Sequence, residues 1–288
     1  MNKVSTLKPV LRSFGSTGRE VAVIGQGSWR SEEHPDQAVK ALRRGLDLGM
    51  THIDTAEMYG SGAAERLIGT AIAGRREEVF LVSKVLPSHA GRRAAVTACE
   101  NSLARLKTDR LDCLLLHWRG EHPLEETIAA FEALSKSGKI LAWGVSNFDV
   151  PDLEEVRAIA GEGHPACNQV LYHLQERAIE HEVLPWCLEH GVALVAYTPF
   201  GQSTAAFEPR NKPGRELGEI AAAHQATPRQ VALAFLLRHS NSFVIPKASG
   251  IAHVEENAAA GRLCLSDADT ARLDAAFPRG RPRPLPML

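Results

Sequence analysis

From residue 21 onward, short apolar runs alternate with longer stretches in which apolar side chains recur every three to four positions. The first pattern predicts buried strands and the second amphipathic helices. The strand runs are 21–24, 52–54, 79–83, 113–117, 142–145, 168–170, 192–197 and 243–246. Helical periodicity fills 36–48, 63–73, 92–106, 124–137, 151–159, 178–190, 214–239 and 252–260. The long 214–239 stretch should break near Ala226, because Thr227-Pro228-Arg229-Gln230 supplies an N-cap, a first-turn proline and a capping-box glutamine. A last helix is expected from Ser266, with Asp269 three residues on.

Eight strand-then-helix units in a row imply parallel strands, since each helix carries the chain back across the sheet. A closed barrel and an open doubly wound sheet both satisfy that pattern. The doubly wound dinucleotide fold opens its first helix with GxGxxG. Gly25-Gln26-Gly27-Ser28-Trp29-Arg30 and Gly60-Ser61-Gly62-Ala63-Ala64-Glu65 both lack the third glycine. No Pro/Gly/Ser-rich linker divides the chain, so residues 1–288 read as a single α/β domain, a (β/α)₈ TIM barrel.

Composition narrows the partners. The formal net charge is −1, which favours neither nucleic acid nor an anionic membrane surface. Arg279 to Arg283, the longest basic cluster, reads as a solvated chain end. No window approaches the roughly 18 uninterrupted apolar residues of a membrane span, and the N-terminal 20 residues hold no apolar core of signal-peptide length. Five scattered cysteines without a CxxC pair suit a reducing compartment. The expectation is a cytoplasmic monomer or weak oligomer acting on a small molecule.

Active sites of barrels form at the C-terminal ends of strands and in the loops just beyond. The second strand ends in Asp54, followed by Thr55-Ala56-Glu57-Met58-Tyr59-Gly60; the third ends at Lys84 and the fourth at His117. Taken singly, Asp54 and Lys84 read as a structural ion pair and His117 as a satisfied half-buried histidine. Taken together at one rim, the four suit proton transfer to a carbonyl oxygen. Tyrosine is a poor acid at neutral pH, but a neighbouring ammonium favours the phenolate and strengthens the acid. Asp54 would keep Lys84 charged, and His117 can donate a hydrogen bond to the substrate oxygen. No side chain is a hydride donor, so such chemistry requires a cofactor.

These residues resemble the aldo-keto reductase signature. The resemblance is carried by Asp54-Thr55-Ala56-Glu57-Met58-Tyr59-Gly60, Lys84, Leu116-His117-Trp118, Gly144-Val145-Ser146-Asn147-Phe148, Asn168-Gln169-Val170 and Ile245-Pro246-Lys247, in the family's order. It implies a (β/α)₈ barrel that binds NADPH across its rim, with Asp54, Tyr59, Lys84 and His117 as the catalytic tetrad. It further implies that Ser146, Asn147 and Gln169 hold the nicotinamide carboxamide and that Tyr197 stacks on the ring. Read without it, Asn147 and Gln169 are loop-capping amides and Tyr197 a core or rim tyrosine. At the adenosine end it implies Lys247 on the 2′-phosphate and Glu256 and Asn257 on adenine. This sequence departs from the family in having Ala248 and His253 where a serine and an arginine often stand. Ser249 and His253 are the available substitutes, and His253 is otherwise a helix-surface residue. Losing the arginine removes a permanent, fork-shaped charge, which leaves NADH possible beside NADPH.

Trp29 and Trp118 are expected to line an apolar carbonyl pocket with Tyr59 and His117. Trp143 and Trp186 read as core, and no role is assigned to Tyr172. The short tail after the last helix implies an open site for small aldehydes or ketones, and the run 247–257 resembles bacterial members of the methylglyoxal-reducing type. Three other readings remain: a Schiff-base aldolase using Lys84, a non-catalytic NADPH-binding regulatory subunit, and a metal-dependent hydrolase. The last lacks the HxH pattern, since Thr51-His52-Ile53-Asp54 supplies one histidine.

Overall fold

The structure is a computed structural model that describes residues 8–288; residues 1–7, the beginning of the stretch read for a leader sequence, lie outside it. Ten strands and ten α-helices are found among the described residues. Strands β1 (Leu11–Ser13) and β2 (Glu20–Ala22) pair antiparallel as a hairpin. Eight more form one parallel sheet: β3 (Gln26–Gly27), β4 (His52–Asp54), β5 (Phe80–Val85), β6 (Cys113–Leu116), β7 (Trp143–Ser146), β8 (Cys167–Leu171), β9 (Ala193–Tyr197) and β10 (Ser242–Val244). They lie side by side in sequence order. The sheet closes on itself where Ile24 bridges Val244 and Gly27 bridges Lys247, with Gly25 N donating to Val244 O at 2.8 Å. A closed parallel sheet with intervening helices is the expected (β/α)₈ barrel.

The helices are α1 (Pro35–Asp47), α2 (Ala63–Ala71), α3 (Arg92–Leu106), α4 (Leu124–Lys136), α5 (Val150–Ala160), α6 (Val183–Glu189), α7 (Lys212–Ala223), α8 (Pro228–Leu236), α9 (Ile251–Ala260) and α10 (Asp267–Ala276). α1 packs on α2 and, around the back, on α9, which completes the outer ring. α7 and α10 pack together outside it. The break near Ala226 is present: Thr227 caps α8 in a full capping box with Gln230, and Ser266 does the same for α10 with Asp269.

Two expectations change and a third is extended. The run 21–24 is not the first barrel strand; its first half belongs to the hairpin, and the barrel begins at Gln26–Gly27. Hydrophobic patterning is blind to a strand made of glutamine and glycine, while Val21 to Ile24 are buried for another reason: they cover the barrel's N-terminal end. There Phe14, fully buried, packs its ring against His52, Phe80 and Phe243 at 5.6, 4.7 and 4.9 Å between centroids. The floor is thus plugged, and the site must lie at the opposite rim. Second, the helix read over 178–190 splits into a 3₁₀ turn at Ala178–Glu180 and α6. Pro185 has no N–H to give, so α6 starts where that proline falls in its first turn. Third, the basic end is solvated as expected but also tethered: Arg279 and Arg283 are exposed, yet Arg283 pairs with Glu176 and Arg279 Nε lies 3.9 Å from Glu180. Trp143 and Trp186 are buried, as is Tyr172, whose hydroxyl donates to Glu180 at 2.6 Å and accepts from Arg238 at 2.7 Å.

Candidate active site at the C-terminal rim

In the strand register Asp54 lies opposite Val82 and Lys84 opposite Leu115, so Asp54, Lys84 and His117 step forward by two residues from each strand to the next. That register brings Asp54, Lys84 and the following His117 to one rim. Lys84 is fully buried, and its ammonium is held by three oxygens: Asp54 Oδ1 at 2.6 Å, the Thr55 carbonyl at 2.8 Å and Tyr59 Oη at 3.4 Å. Gln169 reaches across from β8 to donate to Asp54 Oδ2 at 2.7 Å, so both carboxylate oxygens are engaged. Burial by itself would strip the Lys84 proton, yet Asp54 and the phenol outweigh it and hold the amine above its ordinary value. A lysine kept protonated is a poor nucleophile, which removes the basis of the aldolase reading.

The Tyr59 ring stands edge-on to His117 at 5.8 Å and to Trp29 at 4.9 Å, and Trp118 sits 4.9 Å from His117. Trp29 is half exposed, so its ring flanks Tyr59 on the solvent side. One electrostatic expectation is reversed. Burial pushes the Tyr59 phenol above its ordinary value, and the opposing pull of Lys84 does not overcome it, in part because Asp54 pushes the same way as burial. Tyr59 therefore carries its proton throughout the neutral range. Burial, then Lys84, push His117 down to about 3, so its imidazole is neutral there. Its Nδ1 is buried without a partner.

Beside this group, Asn147 adopts a left-handed φ of 61°, a conformation asparagine tolerates better than most residues. The turn aims its amide at the His117 carbonyl (3.1 Å) and at Ser146 Oγ (3.1 Å), while Oδ1 accepts from Tyr197 Oη at 2.9 Å. Ser146 in turn donates to the Gln169 carbonyl at 2.8 Å. Ser146, Asn147, Gln169 and Tyr197 therefore form one hydrogen-bonded arc continuous with Asp54 and Lys84. The C-terminal tail also reaches it: Leu285 packs on the core, and the Leu288 amide approaches the Tyr197 hydroxyl.

Further along the rim, Lys247 donates to Ser249 Oγ at 2.6 Å and borders a hollow lined by Gln26, Ser28, Ser31 and Asn257. Ser28 and Ser31 were not singled out in the sequence; both hydroxyls are buried without a partner. Only their place in the segment after Gly27 points to them. Glu256 is engaged by Thr227 Oγ1 at 2.6 Å and by His253 at 3.3 Å, and His253 is itself exposed.

A barrel whose rim gathers a tyrosine, a lysine-carboxylate pair and a neutral histidine belongs with the carbonyl oxidoreductases. More narrowly, the chain belongs to the aldo/keto reductase family, whose model matches residues 23–277. It is 48% identical over 258 residues to methylglyoxal reductase YeaE of Escherichia coli, an alignment covering 88% of this chain and 90% of that protein. It also resembles two solved structures of an aldo-keto reductase from Klebsiella pneumoniae. One is in complex with NADP and acetate (45% identity, TM-score 0.90, 97% of this chain and 100% of that one). The other is in complex with NADPH (45% identity, TM-score 0.91, 98% and 100%).

Proposed function

We propose that this enzyme reduces small aldehydes or ketones, methylglyoxal among them, with NADPH, and that Tyr59 is the general acid. The observation that carries the reading is the Tyr59 hydroxyl 3.4 Å from an ammonium that is itself 2.6 Å from a buried carboxylate. The residues present suit the cofactor. Ser28, Ser31, Lys247 and Asn257 line one hollow, in which the Ser28 and Ser31 hydroxyls find no partner within the chain. Ser146, Asn147, Gln169 and Tyr197 would hold the nicotinamide end, and Lys247, Ser249, His253, Glu256 and Asn257 the adenosine end. With Ala248 and His253 in place of the family's serine and arginine, NADH is a permitted second donor. When bound, the cofactor supplies the hydride that no side chain can.

The chain's own part is the proton. Tyr59 enters the reaction protonated and gives its proton to the carbonyl oxygen. Lys84 receives the phenolate that results, at hydrogen-bond distance and without rearrangement. Asp54 keeps Lys84 cationic inside the barrel, and Gln169 fixes Asp54. His117, neutral, offers an N–H to the same carbonyl oxygen and orients it. Trp29 stands against Tyr59 and Trp118 against His117, which supports a small apolar carbonyl as substrate. The test is NADPH consumption at neutral pH with methylglyoxal and with an aromatic aldehyde. Tyr59→Phe is expected to bind NADPH normally and to lose at least ~10²-fold in rate, the lower end of what a general acid contributes. A variant as fast as the wild type would remove Tyr59 from the mechanism.

A further inference from the structure

The ion pair of Glu65 with Arg105 is distinct from the Asp54–Lys84 pair, and the proton transfer described above does not use it. Glu65, in the first turn of α2, is fully buried. It accepts from Ser83 Oγ at 2.6 Å and from Arg105 Nε at 2.5 Å, and Arg105, in the last turn of α3, continues to Ser102 Oγ at 3.0 Å. The two ends of this clasp fall on the segments that carry the two halves of the acid pair. Ser83 immediately precedes Lys84 on β5. Arg105 lies across Gly62, so closely that a β-carbon there would sit 2.5 Å from its Cδ and 2.7 Å from its Nε.

Gly62 closes the turn that begins at Tyr59, and the turn is conformationally demanding. Gly60, Ser61 and Gly62 have φ of 55°, 51° and 83°, three left-handed residues in succession, one of them with a side chain. Such backbone persists only where its surroundings over-determine it. The surroundings are Arg105 on one side and Glu32 on the other, whose Cδ would lie 2.7 Å from a β-carbon at position 60. Two helices could be joined by an ion pair anywhere along their contact. This one joins the end of the tyrosine turn to the strand residue beside the lysine.

We propose that Glu65 and Arg105 are positioning residues for the proton transfer: by tying the 59–62 turn to β5, they hold the Tyr59 hydroxyl within reach of the Lys84 ammonium. The proposal rests on Tyr59 being the acid. Arg105→Ala would strand a buried carboxylate and threaten the fold, so two other variants serve. Arg105→Lys keeps the charge but loses the planar fork. Glu65→Gln/Arg105→Met removes both charges together, which folded proteins tolerate far better than losing one. Each is measured for thermal stability, for NADPH affinity by fluorescence titration, and for kcat as a function of pH.

In the double variant kcat is expected to fall by roughly 10–100-fold, the scale of a displacement of about 1 Å. NADPH affinity should stay within about twofold, as for sites that do not touch. The alkaline limb of kcat should move to higher pH, because a phenol parted from its ammonium is a weaker acid. Arg105→Lys should lie between the two. A folded double variant with wild-type kcat and limb overturns the proposal, and so does a fall in kcat with the limb unmoved. Tyr59→Phe run alongside separates the failures: if it too keeps the wild-type rate, the acid assignment is what fell, and the clasp falls with it.

Discussion

Replacing Lys84 by methionine removes one charge and keeps most of the buried stem, which isolates what the ammonium does. At 3.4 Å from the Tyr59 oxygen, a unit charge stabilises the phenolate by about 5 kcal/mol at an effective dielectric near 20. At about 1.4 kcal/mol per tenfold, that sets a ceiling between 10³- and 10⁴-fold on rate. The proton is only partly transferred in the transition state, so about half the charge has developed there; the expected loss is about 2–3 kcal/mol, or roughly 30–150-fold. The same substitution strands Asp54, whose Oδ2 keeps Gln169 while Oδ1 loses its 2.6 Å partner. Breaking a buried pair from one side costs about 3–5 kcal/mol, a large share of the 5–15 kcal/mol typical of a whole protein. Asp54→Asn/Lys84→Met should recover most of that stability without recovering rate. Chemical denaturation gives the stability and single-turnover NADPH oxidation at saturating aldehyde gives the rate. If a folded Lys84→Met protein reduced aldehyde at the wild-type rate, or if adding Asp54→Asn restored it, charge assistance to the phenol would be refuted.

Two further outcomes follow from the electrostatics of the rim and of the tail anchor. Lys247→Ala should weaken NADPH by about 10–100-fold, the scale of a lost charge-assisted hydrogen bond of ~1.5–3 kcal/mol, and leave NADH nearly unchanged; equal weakening of both in calorimetric titrations would mean that Lys247 does not read the 2′-phosphate. Glu180, held by Arg177 at 2.6 Å and Arg238 at 2.8 Å against the cost of burial, is lowered from its ordinary 4.5 to about 2. A carboxylate depressed in the folded state contributes stability that is fully present above pH 4.5 and is lost as pH falls from there towards 2. Glu180→Gln should therefore be less stable than the wild type at pH 6, with the gap narrowing from pH 4.5 and closing as pH reaches about 2; a stability difference that stayed constant across that range would show that the tail cluster does not act through this charge.

What the sequence disclosed follows from what a linear pattern can register. Asp54, Lys84 and His117 each interrupt an apolar run at the point where a strand ends, so a rule about barrel rims finds them without knowledge of distances. Gln169 bonds to a carboxylate 115 positions away, and only a motif resemblance could pair those two. Glu65 and Arg105 are invisible for a different reason. On amphipathic helices a charged residue reads as solvent face, and nothing local says that Glu65 turns inward to meet Ser83 and Arg105. The segment Gly60 to Glu65 lacks the third glycine of a phosphate loop; its glycines serve the left-handed turn instead.

The reversed direction for Tyr59 belongs to the same limit. That a lysine would stand near the phenol was inferable from order and spacing. That burial would outweigh it was not, because desolvation depends on every atom packed around the ring, including Trp29 and His117. The distinction bears on mechanism. A phenol raised above its ordinary value of 10 stays protonated at neutral pH and needs no tuning to be present as the acid. What Lys84 contributes is the stability of the phenolate after the proton has left. Reduction should accordingly run flat across neutral pH, with His117 already neutral since its value lies at about 3, and decline only in the alkaline range. A site tuned to a low phenol value would instead lose reductase activity near neutrality, where this arrangement keeps it.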